Sequence, residues 1–209
     1  MKKSKVLLLL LCTVALSMAA AFGTLAYLTD SEAVTNTVTV GQVHITLDEE
    51  NVDKKDASGN DNASELRDTA NKYHLIPGQT YTKDPTIHVD ANSEECYLFV
   101  KVENGIAAIE DQSKSVEAQM EKLGWVKIDD TNHIYALAKS KDGVVDYKYT
   151  VFKGANVVVF ENFTIDGAVD NKAIADHANS QIVVTAYAIQ AAGFDNAKLA
   201  WEAYAAQNF

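Results

Sequence analysis

The side chains that most often carry chemistry are sparse in this chain and do not cluster. Its five histidines have no pair at i, i+4 spacing and no His-Glu-x-x-His motif, so the sequence offers no zinc-peptidase helix. It contains no Gly-x-Ser-x-Gly elbow, no P-loop and no dinucleotide fingerprint. His44 and His88 each alternate with Val or Ile, which is typical of the polar face of a strand. We therefore expect no enzyme and no cofactor.

One acidic segment, Asp48 to Asn71, invites a calcium interpretation. Counted from Asp56, however, the twelfth loop position is Arg67, where an EF-hand requires a bidentate Glu. The segment has almost no apolar residues, which favours a long surface loop with a short helix around Ala63 to Ala70. We expect no metal site, although metal binding by this loop stays open.

Cys96 lies between Glu94-Glu95 and the apolar run Tyr97-Leu98-Phe99. A single thiol downstream of the export signal makes no internal disulfide, so the fold depends on its core. We interpret Cys96 as a buried small hydrophobe.

The N-terminus has the pattern of a secretory signal. Lys2, Lys3 and Lys5 precede the apolar run 6–16, and small residues follow. The sequence contains two small-x-small sites, which predict cleavage after Ala21 or after Ala26. An uncleaved anchor is the alternative, because residues 6–28 are long enough to span a bilayer.

Downstream of the signal, an apolar alternation changes face at Gly41. Side chains alternate with period two along a strand, so one straight strand cannot bury both sets on one face. Gly41 is therefore a bulge, or the hinge between a detachable arm and the first core strand. The apolar residues are on even positions before Gly41 and on odd positions after it: Val34, Val38 and Val40, then Val43, Ile45 and Leu47.

The rest of the chain has short apolar runs separated by turn residues, which predicts an antiparallel β-sandwich with a few short helices. Pro85 places the run 81–89 at a sheet edge or a bulge. The run Tyr97 to Val102 predicts a central strand. Helices are expected over 115–123, 171–177 and 195–206. The run 182–191 is apolar on both faces and predicts another central strand, in which Ala186 and Ala188 leave room for something packed across them.

Several stretches resemble one exported family of Gram-positive bacteria. TLAYLTDSEAVTNTVTVGQVHITLDE is similar to the start of the TasA and camelysin family, and LIPGQTYTKDPTIHV, CYLFVKVEN and AYAIQAAGFDNAKLAW are similar to its later blocks. The resemblance covers most of the chain and is weakest over 49–72. It implies processing by a SipW-type signal peptidase after Ala26, at a site formed by Thr24, Ala26 and Tyr27. It also implies a jelly-roll domain.

The same resemblance implies an organisation and a function. Residues 1–26 are the signal peptide, 27–41 an N-terminal arm with its hinge at Gly41, and 42–209 one β-sandwich domain with an acidic loop at 48–72. The arm is donated as a strand to the next subunit, making non-covalent fibres of the extracellular biofilm matrix. Its apolar contacts are made by Leu28, Val34, Val38 and Val40.

The net charge and the length of the chain limit the number of domains and the kinds of partner that are expected. Removing 26 residues from 209 leaves 183, enough for one domain with a sizeable core. The net charge of −11 includes the three signal lysines, so the remainder carries −14. Such a surface does not attract nucleic acid, and membrane contact is expected only before cleavage. Because it also repels copies of itself, we expect a monomer that polymerises conditionally, with concentration, acid or salt as the trigger.

Two other classes of function stay open. A secreted binding module or adhesin would keep the arm, residues 27–40, folded on its own domain and bind a separate ligand. A camelysin-like metallopeptidase would retain metal and lose activity with chelators. The missing His pair weighs against the peptidase.

Overall fold

Two four-stranded antiparallel sheets organise the part of the chain that the computed structural model describes, residues 42–52 and 67–208. These residues belong to one compact unit, Gly41–Phe209. The prediction of a mainly β, antiparallel architecture with a few short helices is confirmed.

The strands are short and follow the order β1 (Ile45–Glu50), β2 (Arg67–Asp68), β3 (Thr80–Thr82), β4 (Thr86–Val89), β5 (Cys96–Asn104), β6 (Trp125–Asp129), β7 (Ile134–Leu137), β8 (Lys139–Lys141), β9 (Val144–Asp146), β10 (Asn156–Val158), β11 (Asn162–Thr164) and β12 (Ile182–Gln190). The described helices are α1 (Val116–Lys122), α2 (Asn171–Asp176) and α3 (Ala197–Asn208), with 3-10 turns at Ala107–Ile109 and Gln112–Lys114.

The first sheet has the strand order β10-β4-β1-β2 and the second has the order β12-β5-β7-β6. In the first sheet Leu47 is opposite Ile87, and in the second Tyr187 is opposite Phe99. The pairs β3–β11 and β8–β9 form two small separate ribbons.

Side chains from both four-stranded sheets share one core, because alternate residues of each strand point to the same face. This core contains the fully buried Ile87, Leu98, Val100 and Trp125, and the partly buried apolar residues of β1 and β12 pack against it. The Trp125 indole N–H donates a hydrogen bond to the Val158 carbonyl oxygen at 3.1 Å.

A second cluster covers the opposite face of the second sheet. Helix α3 packs there, with Trp201 against Phe99 and Tyr187 at ring centroid distances of 5.1 and 5.4 Å. The second sheet is therefore buried on both faces.

The helices predicted over 115–123, 171–177 and 195–206 are confirmed in position. The short helix expected around Ala63 to Ala70 is not confirmed, because Arg67–Asp68 is strand β2 and residues 63–66 lie outside the described part of the chain. Ser115 caps α1 by accepting a hydrogen bond from the Ala118 N–H, and Asp170 caps α2 by accepting one from the Ala173 N–H. Gly124 ends the α1 turn with φ +93°, a conformation that favours glycine.

Three expectations were wrong in detail. The run around Pro85 is two strands in different sheets, and β4 lies centrally between β1 and β10. Pro85 immediately precedes β4, where a missing N–H is tolerated. The run 182–191 forms an edge strand and not a central one, because β5 is its only described partner. The predicted surface loop begins and ends in strands, since β1 continues to Glu50 and Arg67–Asp68 forms β2.

Among the described residues, none of the helices combines the length and the apolar character needed to cross a bilayer.

Candidate functional site: a groove between two open strand edges

Strand β12 has one side without a described partner strand, and strand β1 has one side that a described strand covers only in part. Strand β1 pairs with β4 along Ile45 to Asp48, and on its other side β2 covers only Glu49 and Glu50. Strand β12 pairs with β5 along all nine residues and with no other described strand. The Cα atoms of β1 and β12 approach within 8 Å, so the two strands are neighbours across the two sheets.

The backbone groups on the open side of β12 follow from its register. The N–H of Gly105 donates to the Gln181 carbonyl, and the N–H of Ala191 donates to the Glu95 carbonyl, at 2.8 Å each. Odd-numbered residues of β12 therefore bond to β5. Because alternate residues of an antiparallel strand direct their backbone groups to opposite neighbours, the even-numbered ones face the open edge. These are Ile182, Val184, Ala186, Ala188 and Gln190.

Strand β1 has the same arrangement with the opposite parity. The N–H of Asp90 donates to the His44 carbonyl at 3.0 Å, so the even residues of β1 bond to β4. The backbone groups of Val43, Ile45 and Leu47 consequently face the open side. Both edges thus present a row of backbone donors and acceptors without a partner among the described residues, the template to which an extended chain adds.

The side chains of the same residues line the opening. Ile45 and Leu47 of β1, Val43 just before it and the even-numbered apolar residues of β12 are only partly buried, although they pack against the core. At one end of these two strands, beside Leu47, Ile182 and Val184, lies a groove of about 670 Å³, within the usual range of ligand sites. Its apolar lining includes Leu47, Tyr73, Leu75, Ile106, Phe163, Ile182 and Val184.

Three aromatic rings stiffen one wall of the groove. Tyr73 meets Phe163 edge-on at 5.1 Å, and Tyr81 stacks on Phe163 at 5.0 Å. The Tyr73 hydroxyl donates to the Thr82 carbonyl at 2.9 Å. Burial, aided by the nearby charge of Glu49, raises the pKa of the Tyr73 hydroxyl, which therefore stays neutral and remains a donor.

A nearly buried ion pair forms part of the groove lining. Lys83 contacts the Glu49 carboxylate, and the side chains of both are at most 12% exposed. The Asn71 side-chain amide donates to the Glu49 carboxylate at 2.9 Å and to the Glu50 carbonyl at 2.7 Å. The three side chains connect the end of β1 to the segments before β3 and β4.

The outer face of the first sheet carries a polar network. His88 Nε2 lies 2.9 Å from the Asp48 carboxylate, and Arg67 bonds to both Asp48 and Asp84 at 2.7 and 2.6 Å. The hydrogen bond to Asp48 is the largest influence on His88 and raises its pKa. This network fixes β2 beside β1, which closes one end of the open edge.

His44 and Cys96, whose side chains could bind a metal or act as a nucleophile, have surroundings that indicate structural roles. His44 is exposed and hydrogen-bonds to Gln42, while Cys96 is fully buried and burial raises the pKa of its thiol to about 11. Its interpretation as a small buried hydrophobe is confirmed. Within residues 42–52 and 67–208, no group of three or more His, Cys, Asp or Glu side chains is placed to hold a metal ion.

Every site residue predicted from the sequence precedes the described part of the chain. The cleavage site, the donor-strand contacts and the hinge lie outside the described residues: Thr24, Ala26, Tyr27, Leu28, Val34, Val38, Val40 and Gly41. The groove itself was not predicted. The small residues Ala186 and Ala188, singled out from the sequence, lie on the open edge of β12 but not among the residues that line the groove.

Comparison with known proteins gives no match to a protein-family model, to a curated protein or to a solved structure.

Proposed function

We propose that this chain is the secreted subunit of an extracellular fibre, in which residues 27–40 of one copy add as a strand to the groove of the next. The observation that carries the proposal is the pair of edges of β1 and β12, where apolar side chains lie beside backbone groups that have no partner strand among the described residues. An added strand satisfies both at once.

The arm has the composition that such a groove requires. Residues 27–40 contain alternating Thr and Val, no Pro and no basic residue, and span about 45 Å when extended. This is longer than β12, whose nine residues cover about 30 Å. Val34, Val38 and Val40 share one face and supply apolar side chains for the groove.

The family and the fold class belong to the same proposal. We place the chain with the TasA and camelysin family, and its two sheets in a jelly-roll-like sandwich. Export through a SipW-type signal peptidase, with cleavage after Ala26, then delivers the arm to the cell surface or matrix of a Gram-positive bacterium. The partner is a second copy of the chain, and no cofactor takes part.

A proline at the open edge tests the site. The N–H of Ala186 faces the opening, so Ala186→Pro removes no bond to β5 but removes one donor and fills space beside the strand. Ala186→Ser is the matched control, because it keeps the donor and nearly the same volume. We expect protein beginning at Tyr27 to form filaments as wild type and as Ala186→Ser, but not as Ala186→Pro. Filaments of a folded Ala186→Pro protein, with wild-type abundance, would contradict the site.

A truncation tests the arm separately. Protein beginning at Gly41 lacks the arm and is expected to stay monomeric under mildly acidic, concentrated conditions in which protein beginning at Tyr27 polymerises. Negative-stain microscopy shows whether each protein forms filaments, and circular dichroism establishes that each is folded. Monomers from both proteins would favour the binding module or adhesin, in which the groove holds the chain's own arm.

A further inference from the structure

We propose that the end of the domain carrying Phe152 docks against the groove end of a second copy of this chain, forming a direct contact between domains in addition to the arm. This inference rests on the proposed function, because it concerns how successive subunits meet. Its starting observation is Phe152, whose side chain is 66% exposed although it is a large aromatic residue.

Phe152 lies where the described chain begins. It lines a shallow depression of about 390 Å³ together with Asn92, Glu94 and Lys153. The N–H of Glu94 donates to the Gln42 carbonyl at 2.9 Å, which fixes residue 42 beside this depression. Gln42, the first described residue, therefore lies at the end of the domain that carries Phe152.

The groove lies toward the opposite end. Its lining includes Glu49, at the far end of β1, and the exposed segment 178–181 just before β12. In β5 the residue facing the Phe152 end is Cys96, and the one facing the groove end is Asn104. These two residues are eight positions apart, which is about 27 Å along the strand.

The short distance between arm and domain forces the two ends together. Val40 is only two residues before Gln42, so its Cα atom lies no farther than about 7 Å from the Cα atom of Gln42, where the chain is fixed. If Val40 fills the groove of the next copy, that copy must abut the Phe152 end. The surface beside Gln42 then becomes buried, and Phe152 faces the groove end of the neighbour, which includes the exposed segment 178–181.

The critical concentration for filament growth tests this contact in protein beginning at Tyr27. Phe152→Ala is expected to raise it about tenfold, equivalent to about 1.4 kcal/mol and to half the burial value of a Phe side chain. Leu199→Ala is the control, because Leu199 is an exposed apolar residue, 44% exposed, on α3, which covers the face of the second sheet opposite the shared core. The critical concentration of Leu199→Ala should stay within about twofold of wild type, because this substitution removes no apolar surface from the proposed contact.

The outcomes separate the two proposals. Wild-type filaments with an unchanged critical concentration for Phe152→Ala would overturn the docking contact and leave the proposed function intact. Wild-type protein that never polymerises would overturn both.

A fluorescent reporter provides an independent measurement. Phe152→Trp adds an exposed indole to a protein whose own Trp125 and Trp201 are buried. We expect its emission, after subtraction of the wild-type spectrum, to shift to the blue only in filaments. Emission unchanged by assembly would overturn the contact. Emission already blue in dilute monomer would also overturn it and identify the chain's own arm as the covering segment.

Discussion

The ion pair between Glu49 and Lys83 provides the sharpest test of how the groove is built. Replacing Lys83 with Met keeps the length of the side chain but removes its charge. Glu49, which is 4% exposed, then retains the hydrogen bond from Asn71 and loses its only ion-pair partner among the described residues. A buried carboxylate without its cation is strongly unfavourable.

The free energy of unfolding lost in Lys83→Met depends on how deeply the Glu49–Lys83 pair is buried. Breaking a buried pair by removing one partner typically costs 3–5 kcal/mol, while an exposed pair is worth under about 1 kcal/mol. Because the Lys83 side chain is 12% exposed, we expect the lower end of the buried range, about 3 kcal/mol. For a domain of this size that loss lowers the Tm by roughly 6–12 °C. Urea unfolding of the protein beginning at Tyr27 measures the free energy of unfolding directly.

A double mutant separates the charge from the packing. In Glu49→Gln/Lys83→Met the Gln oxygen still accepts the hydrogen bond from Asn71, and no charge is buried. We expect the double mutant to recover at least about half of the loss, with a coupling energy above about 1 kcal/mol. A Lys83→Met cost below about 1 kcal/mol, or no recovery in the double mutant, would refute the assignment of a buried pair.

Three further predictions use urea unfolding as well. The stabilising effect of His88 is the free energy of unfolding of the wild type minus that of His88→Gln. It is under about 1 kcal/mol, because the site is partly exposed. Asp48 raises the pKa of His88, so the effect is present below about pH 6.5 and is lost as the pH rises through the folded-state value; an effect that grows toward pH 8 contradicts this. Trp125→Phe removes a buried indole hydrogen bond and leaves a cavity, at a cost of about 2–3 kcal/mol; a neutral change contradicts the packing. Gly124→Ala costs more than about 1 kcal/mol, because φ is +93° and a Cβ would lie 2.8 Å from the Ala138 carbonyl oxygen; a stabilised variant contradicts the turn.

Local patterns in the sequence predicted most elements of the fold but not their places in the sheets. Helix α1 was recognisable because Ser115 and Gly124 mark its ends and Val116 and Met120 share its buried face. The central strand β5 followed from its apolar alternation. These signals are local, so they are readable without knowledge of the tertiary structure.

The edge position of β12 could not be predicted from such local patterns. Apolar periodicity reports burial of the two faces of a strand, but not whether a neighbour lies beside it in the plane of the sheet. In β12 the even residues face the shared core and Tyr187 lies under α3. Both faces are therefore apolar, as in a central strand, although one edge is open among the described residues. The groove depends on that edge, so its position required the structure.

Amide hydrogen exchange along β12 tests the central claim most directly. In monomer, the N–H groups of Val184, Ala186 and Ala188 face the open edge and should exchange fast, while those of Thr185 and Tyr187 are protected by bonds to β5. In filaments of protein beginning at Tyr27, the claim predicts that the three even-numbered amides become protected by at least about a hundredfold and that the odd ones change little. Even-numbered amides that exchange equally fast in monomer and filament would contradict strand addition at this groove.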